Sequence, residues 1–67
     1  MKVTINGTER QLATGTKVVD VVAELASGRR SGIAIALNGE VVPKSRWEEV
    51  AIDDGDRLEV LSAIGGG

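Results

Sequence analysis

Two Asn-Gly dipeptides, Asn6-Gly7 and Asn38-Gly39, constrain the fold of this chain more than any other feature. Asn-Gly is the favoured pair for a two-residue hairpin turn, because both central positions of that turn need a positive φ. The first dipeptide ends the alternating segment 2–6 and the second follows the alternating segment 33–37, as expected of strands. The sequence therefore predicts two β-hairpins, whose return strands lie at residues 8–12 and 40–42.

Between the two predicted hairpins the hydrophobic period lengthens to three and four residues. Acidic residues occupy the opposite side of this segment, as in an amphipathic helix. The valines favour a strand locally, but a helix is needed to cover the apolar face of the hairpins. We predict a helix with Thr16 as its N-cap and Gly28 ending it in a left-handed conformation. Its buried positions are predicted to be Val18, Val21, Val22 and Leu25.

The last predicted strand spans residues 57–62 and follows a tight acidic turn at residues 53–56. If this strand lies between the first and the third, four to five strands form a mixed sheet wrapped around one helix. That arrangement is the α+β fold known as the β-grasp, or ubiquitin-like, fold. The predicted boundaries are a β-grasp domain at residues 1–63 and a flexible glycine-rich tail at residues 64–67.

The residue types that the chain lacks exclude several functions. It contains no cysteine, and therefore has no disulfide, no thiolate nucleophile and no sulfur-ligated metal site. It contains no histidine, and therefore lacks the commonest general base and the commonest metal ligand. Eight basic and ten acidic residues give a net charge of −2, which argues against nucleic-acid binding. No segment approaches the roughly 20 apolar residues of a membrane span, and no secretory run begins the chain. We predict a cytoplasmic protein that is not an enzyme.

The chain ends with Ile64 and then Gly65-Gly66-Gly67. These glycines form either a frayed end or linker, or a tail that can enter a narrow channel because glycine has no side chain. Five extended residues from Ala63 onward reach about 16 Å. The terminal carboxylate is ionised at neutral pH and is a poor electrophile, so transfer to it requires activation. Attack on the α-phosphate of ATP would give an acyl-adenylate, and a partner enzyme must supply the ATP site.

The end of the last strand leads directly to this tail. Alternation predicts that Glu59 and Leu61 point away from the core, with Leu58 and Val60 toward it. Exposed apolar residues beside the tail suit a docking patch better than a core. We therefore predict that Leu61, Ala63 and Ile64 contact a partner.

Three further features have both a structural and a functional interpretation. Trp47, the only aromatic residue, is predicted to pack in the core or as a lid rather than to anchor a partner. A solvated, turn-forming surface that can steer a basic partner, rather than a metal site, is predicted for the acidic residues Glu48, Glu49, Asp53, Asp54, Asp56 and Glu59. Arg29 and Arg30 are predicted to be solvated loop charges.

In these features the chain resembles the ThiS family, the sulfur carriers of thiamine biosynthesis, along its whole length. The resemblance rests on residues 3–7, the apolar face of the helix, residues 35–43, Trp47, residues 54–59 and the glycine terminus. It implies that an activating enzyme adenylates Gly67 with ATP and Mg²⁺. It also implies that a persulfide, derived from a cysteine desulfurase, converts the adenylate to a thiocarboxylate from which a thiazole synthase takes the sulfur.

The family's functional glycine pair corresponds to Gly66 and Gly67, and Gly65 is interpreted as a spacer. Other interpretations of the same features remain open. The carrier can serve molybdopterin synthesis or a secondary metabolite instead of thiamine. The chain can also be a ubiquitin-like modifier joined to lysines, or a plain interaction module.

Overall fold

The computed structural model describes residues 1–27 and 31–62. In these residues five strands form one sheet in the order β2-β1-β5-β3-β4. Strand β5 pairs in parallel with β1, and the other neighbouring strands are antiparallel. This confirms the predicted mixed sheet with its last strand between the first and the third. The elements are β1 (Lys2–Ile5), β2 (Thr8–Gln11), helix α1 (Val18–Leu25), β3 (Ile33–Leu37), β4 (Glu40–Val42), a 3₁₀ turn (Lys44–Arg46) and β5 (Arg57–Ser62).

Both Asn-Gly dipeptides form the tight turns predicted for them. Asn6 and Gly7 have φ values of 50° and 81°, and Asn38 and Gly39 have values of 51° and 86°. Asparagine tolerates the left-handed region better than most side chains, and glycine enters it without steric cost. These turns join β1 to β2 and β3 to β4.

Helix α1 begins one residue later than the sequence predicts. The prediction of Thr16 as the N-cap is wrong, because its hydroxyl donates to the Ala13 carbonyl at 2.6 Å. The N-cap is Lys17, whose backbone N–H donates to Oδ2 of Asp20 at 2.9 Å. The N–H of Asp20 donates to the carbonyl of Lys17 at 3.0 Å, and the N–H groups of Val18 and Val19 are satisfied from elsewhere in the chain.

Those N–H groups donate to the segment between the 3₁₀ turn and β5. The N–H of Val18 donates to the carbonyl of Val50 at 3.0 Å, and that of Val19 donates to the carbonyl of Trp47 at 3.0 Å. The first N–H groups of a helix need acceptors outside it, and a capping side chain is the commonest source. In this chain backbone carbonyls replace that side chain.

The other end of α1 also corrects the prediction. The helix ends at Leu25, which is 40% exposed, whereas Ala26 is buried in the core at 6% exposure. Ala26 follows Val22 by one helical turn and continues the buried stripe. The left-handed residue after the helix is Ser27, with a φ of 54°. Gly28, predicted to take that conformation, lies outside the described residues.

Trp47 lies at the centre of the core with no exposed surface, which confirms its predicted packing role. Its indole N–H donates to the carbonyl of Val42 at 2.9 Å, so the ring is both buried and hydrogen-bonded. The other buried apolar residues come from the inner face of the sheet, from α1 and from the segment before β5. They are Val3, Ile5, Val18, Val21, Val22, Ala26, Ile33, Ile35, Val42, Ile52 and Leu58.

Helix α1 has eight residues, a length of about 12 Å. In the two described ranges the chain forms no helix that is long and apolar enough to cross a membrane.

Candidate functional site

Strand β5 leads to the glycine tail, and its side chains alternate as predicted. Leu58 is completely buried and Val60 is half-buried on the inner face, whereas Glu59 and Leu61 are exposed. Leu61 keeps 62% of its surface accessible. The remaining predicted docking and tail residues, Ala63, Ile64, Gly65, Gly66 and Gly67, lie outside the described residues.

Leu61 belongs to a cluster of apolar side chains on the face of the sheet that α1 does not cover. It lies opposite Ala34 on β3, and Ala36 lies opposite Val41 on β4. Directly opposed residues of antiparallel strands have Cβ atoms about 4.5–5.5 Å apart and share one face. Val41 is 75% exposed. We call Ala34, Ala36, Val41 and Leu61 the outer apolar patch.

Sequence reasoning identified only Leu61 of this patch. The pattern in β3, with alanine between larger residues, indicated a strand that is apolar on both faces. In β4, Val41 and Val42 are adjacent and must point to opposite faces, which was the signal for an exposed valine. Their assembly depends on the pairing of three strands. Glu59 also lies opposite Ala36, so a carboxylate borders the patch.

The acidic turn lies at the start of β5, at the opposite end of the strand from the tail. Its carboxylates accept hydrogen bonds that hold the turn in place. Oδ1 of Asp54 accepts from the backbone N–H of Lys2 at 2.7 Å, and Oδ2 of Asp56 accepts from that of Asp53 at 2.8 Å. These contacts support the predicted turn-forming role. Arg29 and Arg30, predicted to be solvated, lie outside the described residues.

A shallow cavity lies beside the edge strand β4. Its volume is about 220 Å³, and its lining includes Leu37, Val42 and Val50 with the charged Glu40 and Arg46. Small-molecule sites usually enclose about 300–1,000 Å³. Within residues 1–27 and 31–62, no three His, Cys, Asp or Glu side chains are grouped to hold a metal.

Comparison with known proteins gives matches over the whole chain. The model of the ThiS family matches residues 3–67. The sulfur carrier protein ThiS of Escherichia coli K12 is 31% identical over 67 residues, which cover both proteins completely. A thiazole synthase of Paramagnetospirillum magneticum is 43% identical over 67 residues, and the chain spans 20% of its length.

Two solved structures share the fold over the whole chain. The crystal structure of the thiamine biosynthesis protein (ThiS) from Geobacter metallireducens has a TM-score of 0.82 and 29% identity, with full coverage of both chains. An NMR solution structure of a thiamine biosynthesis protein from the same organism has a TM-score of 0.77 and 28% identity. It covers 100% of this chain and 88% of that one.

Proposed function

This chain belongs to the ThiS family, and on that premise we propose that it is a sulfur carrier for thiamine biosynthesis with its sulfur on Gly67. The observation that carries the proposal is the continuity between the outer apolar patch and the glycine tail. Leu61 is part of the patch, and the six residues that follow it reach about 20 Å when extended. A partner that covers the patch therefore has the Gly67 carboxyl group within reach. The proposal requires Gly67 to be the carboxyl terminus of the mature protein.

The proposed chemistry takes place in the active sites of partner enzymes. A carboxylate oxygen of Gly67 attacks the α-phosphorus of ATP bound with Mg²⁺, pyrophosphate leaves, and an acyl-adenylate forms. The terminal sulfur of a protein persulfide then displaces AMP. A thiol cleaves the resulting sulfur–sulfur bond by forming a disulfide with the donor sulfur, and the thiocarboxylate remains on Gly67.

The chain contributes the docking surface and the carboxyl group that carries the sulfur, and its partners contribute catalysis. The absence of histidine and cysteine from the sequence supports this division. The ATP and Mg²⁺ are bound by the activating enzyme, and the persulfide is supplied by a donor of the cysteine desulfurase type. Similarity to a thiazole synthase, and to proteins named for thiamine biosynthesis, supports the thiazole of thiamine as the destination of the sulfur. It favours thiamine over molybdopterin or a secondary metabolite.

Intact-protein mass spectrometry tests the proposal directly. The chain is incubated with ATP, Mg²⁺, the activating enzyme of the same organism and a persulfide donor. We expect a gain of about 16 Da, the difference between sulfur and oxygen, and the gain must localise to Gly67 in a C-terminal fragment. Omission of ATP should prevent it. An unchanged mass in the complete reaction mixture contradicts the proposal. Covalent attachment of the chain to lysines of other proteins, seen as a ladder of bands on a denaturing gel, would indicate a ubiquitin-like modifier instead.

Replacing Leu61 by serine tests the docking role of the outer apolar patch. We expect the KM for the carrier in the adenylation reaction to rise at least about tenfold, because burying a leucine side chain contributes about 1.5–3 kcal/mol and each 1.4 kcal/mol is about a factor of ten. The fold should persist, since Leu61 is already 62% exposed. Steady-state kinetics of pyrophosphate release measure the effect.

Leu25→Ser is the matched control, because Leu25 is also an exposed leucine but lies at the end of α1 on the other side of the sheet. Its KM should stay within about twofold of the wild type. Equal KM values for Leu61→Ser and the wild type would show that the patch does not dock.

A further inference from the structure

The side chain of Asn6 replaces a backbone hydrogen bond between β1 and β5. In this parallel pair the N–H of Thr4 donates to Asp56 at 3.0 Å, and the N–H of Asn6 donates to Leu58 at 3.0 Å. The next bond of a parallel ladder takes the N–H of Val60 to the backbone carbonyl of Asn6. Here the chain turns away at Asn6, and the N–H of Val60 donates to Oδ1 of its side chain at 2.8 Å.

The same carboxamide completes the other half of the pairing. Nδ2 of Asn6 donates to the carbonyl of Val60 at 3.2 Å. The Asn6 side chain therefore binds Val60 as a peptide unit of a neighbouring strand would, across 54 positions of sequence. After Val60, the described part of β5 pairs with β3, through Ala34 and Leu61 and through Ile33 and Ser62.

We propose that Asn6 is a positioning residue for the glycine tail, an inference that rests on the proposed function. Val60 lies between Asn6 on one side and β3 on the other, two residues before the end of β5. This two-sided hold fixes the end of β5 relative to the outer apolar patch. Without it, β5 is held only by β3 after Leu58, so the end of the strand that leads to the tail is less firmly fixed, while Leu61 keeps its pairing with Ala34 in the patch.

The chain offers a matched control at the other end of the same strand. Oδ1 of Asn38 accepts from the N–H of Arg57 at 2.9 Å, and its Nδ2 donates to Oδ1 of Asp56 at 3.0 Å. Asn38 thus makes two hydrogen bonds at the start of β5, as Asn6 makes two near its end. Both asparagines are exposed, have positive φ and precede a glycine. Glycine keeps the turn at either position and removes the side chain with its carboxamide, and the backbone freedom that glycine adds is common to both variants.

The test compares Asn6→Gly with Asn38→Gly in adenylation of the full chain by the activating enzyme. We expect Asn6→Gly to lower kcat about tenfold with KM within about twofold, because docking persists while fewer complexes place the carboxylate correctly. Asn38→Gly should leave both constants within about twofold. Asn6→Asp, which keeps the acceptor and loses the donor, should fall between Asn6→Gly and the wild type.

An equal fall in kcat for both glycine variants would tie the effect to general destabilisation and overturn the role of Asn6. A second readout does not depend on sulfur chemistry. The ¹⁵N heteronuclear NOE of Ser62, the last residue of β5, should fall in Asn6→Gly and not in Asn38→Gly, and an unchanged value in Asn6→Gly also overturns the inference. A wild-type chain that is not loaded with sulfur contradicts the proposed function instead.

Discussion

Deletion of Gly66 and Gly67 is expected to abolish formation of the thiocarboxylate and to leave the fold intact. The deletion shortens the tail by about 7 Å, whereas a reacting group must come within about 3–3.5 Å of its target. It also brings Ile64 two positions closer to the reacting end, where a side chain obstructs a narrow channel. Glycine has no side chain to bury, so the free energy of unfolding should change by less than about 0.5 kcal/mol. Intact mass and urea denaturation measure the two effects.

Gly66→Ala is the control that separates the effect of the length of the tail from the effect of a side chain on it. It keeps the reach of the tail and adds one methyl group beside the terminal residue. If the partner's channel excludes side chains, the rate at which this variant is loaded with sulfur should also fall by at least about tenfold.

Normal loading of the deletion variant would show that sulfur is attached elsewhere, and unfolding on deletion would show that the tail stabilises the domain.

Trp47→Ala is expected to unfold a large fraction of the protein at 25 °C. The ring is fully buried, and its N–H donates to the carbonyl of Val42. Removing a buried tryptophan costs about 3–5 kcal/mol, and a domain of this size rarely has more than about 3–5 kcal/mol of stability. Because Val42 pairs with Ile35, the loss of the ring also weakens the attachment of β4 to β3. Far-ultraviolet circular dichroism and urea titration report the change.

Trp47→Phe separates the packing of the ring from its hydrogen bond. It retains most of the apolar volume and leaves the carbonyl of Val42 without the indole donor. We expect a loss of about 1–3 kcal/mol and a folded protein. If Trp47→Ala were as stable as the wild type, Trp47 would not organise the core, and its burial would need another explanation.

The elements that were predicted correctly depend on neighbours in the sequence. Both Asn-Gly turns follow from the positive φ that the two residues tolerate. The alternation in β5 placed Leu58 inward and Leu61 outward because the side-chain period of a strand is two. The helix followed from its period, and so did its buried valines.

The errors occurred where distant segments decide the outcome. Thr16 has the residue type of an N-cap, but the first N–H groups of the helix donate to the carbonyls of Trp47 and Val50 instead. Leu25 has the correct helical spacing and the larger apolar side chain, yet Ala26 is buried. At the last turn, the residue that enters the core depends on the space left by the sheet, which a periodic pattern does not contain.

The candidate site divides in the same way. The run of glycines at residues 65–67 and the lack of histidine and cysteine can be read from the sequence alone, and the proposed role of Gly67 rests on them. Only the tertiary structure decided that Ala34, Ala36, Val41 and Leu61 form one surface, and that Asn6 holds Val60. These contacts join residues far apart in the chain. They exist because β5 lies between β1 and β3 in one particular register, and a shift of one residue would turn every side chain of β5 to the other face.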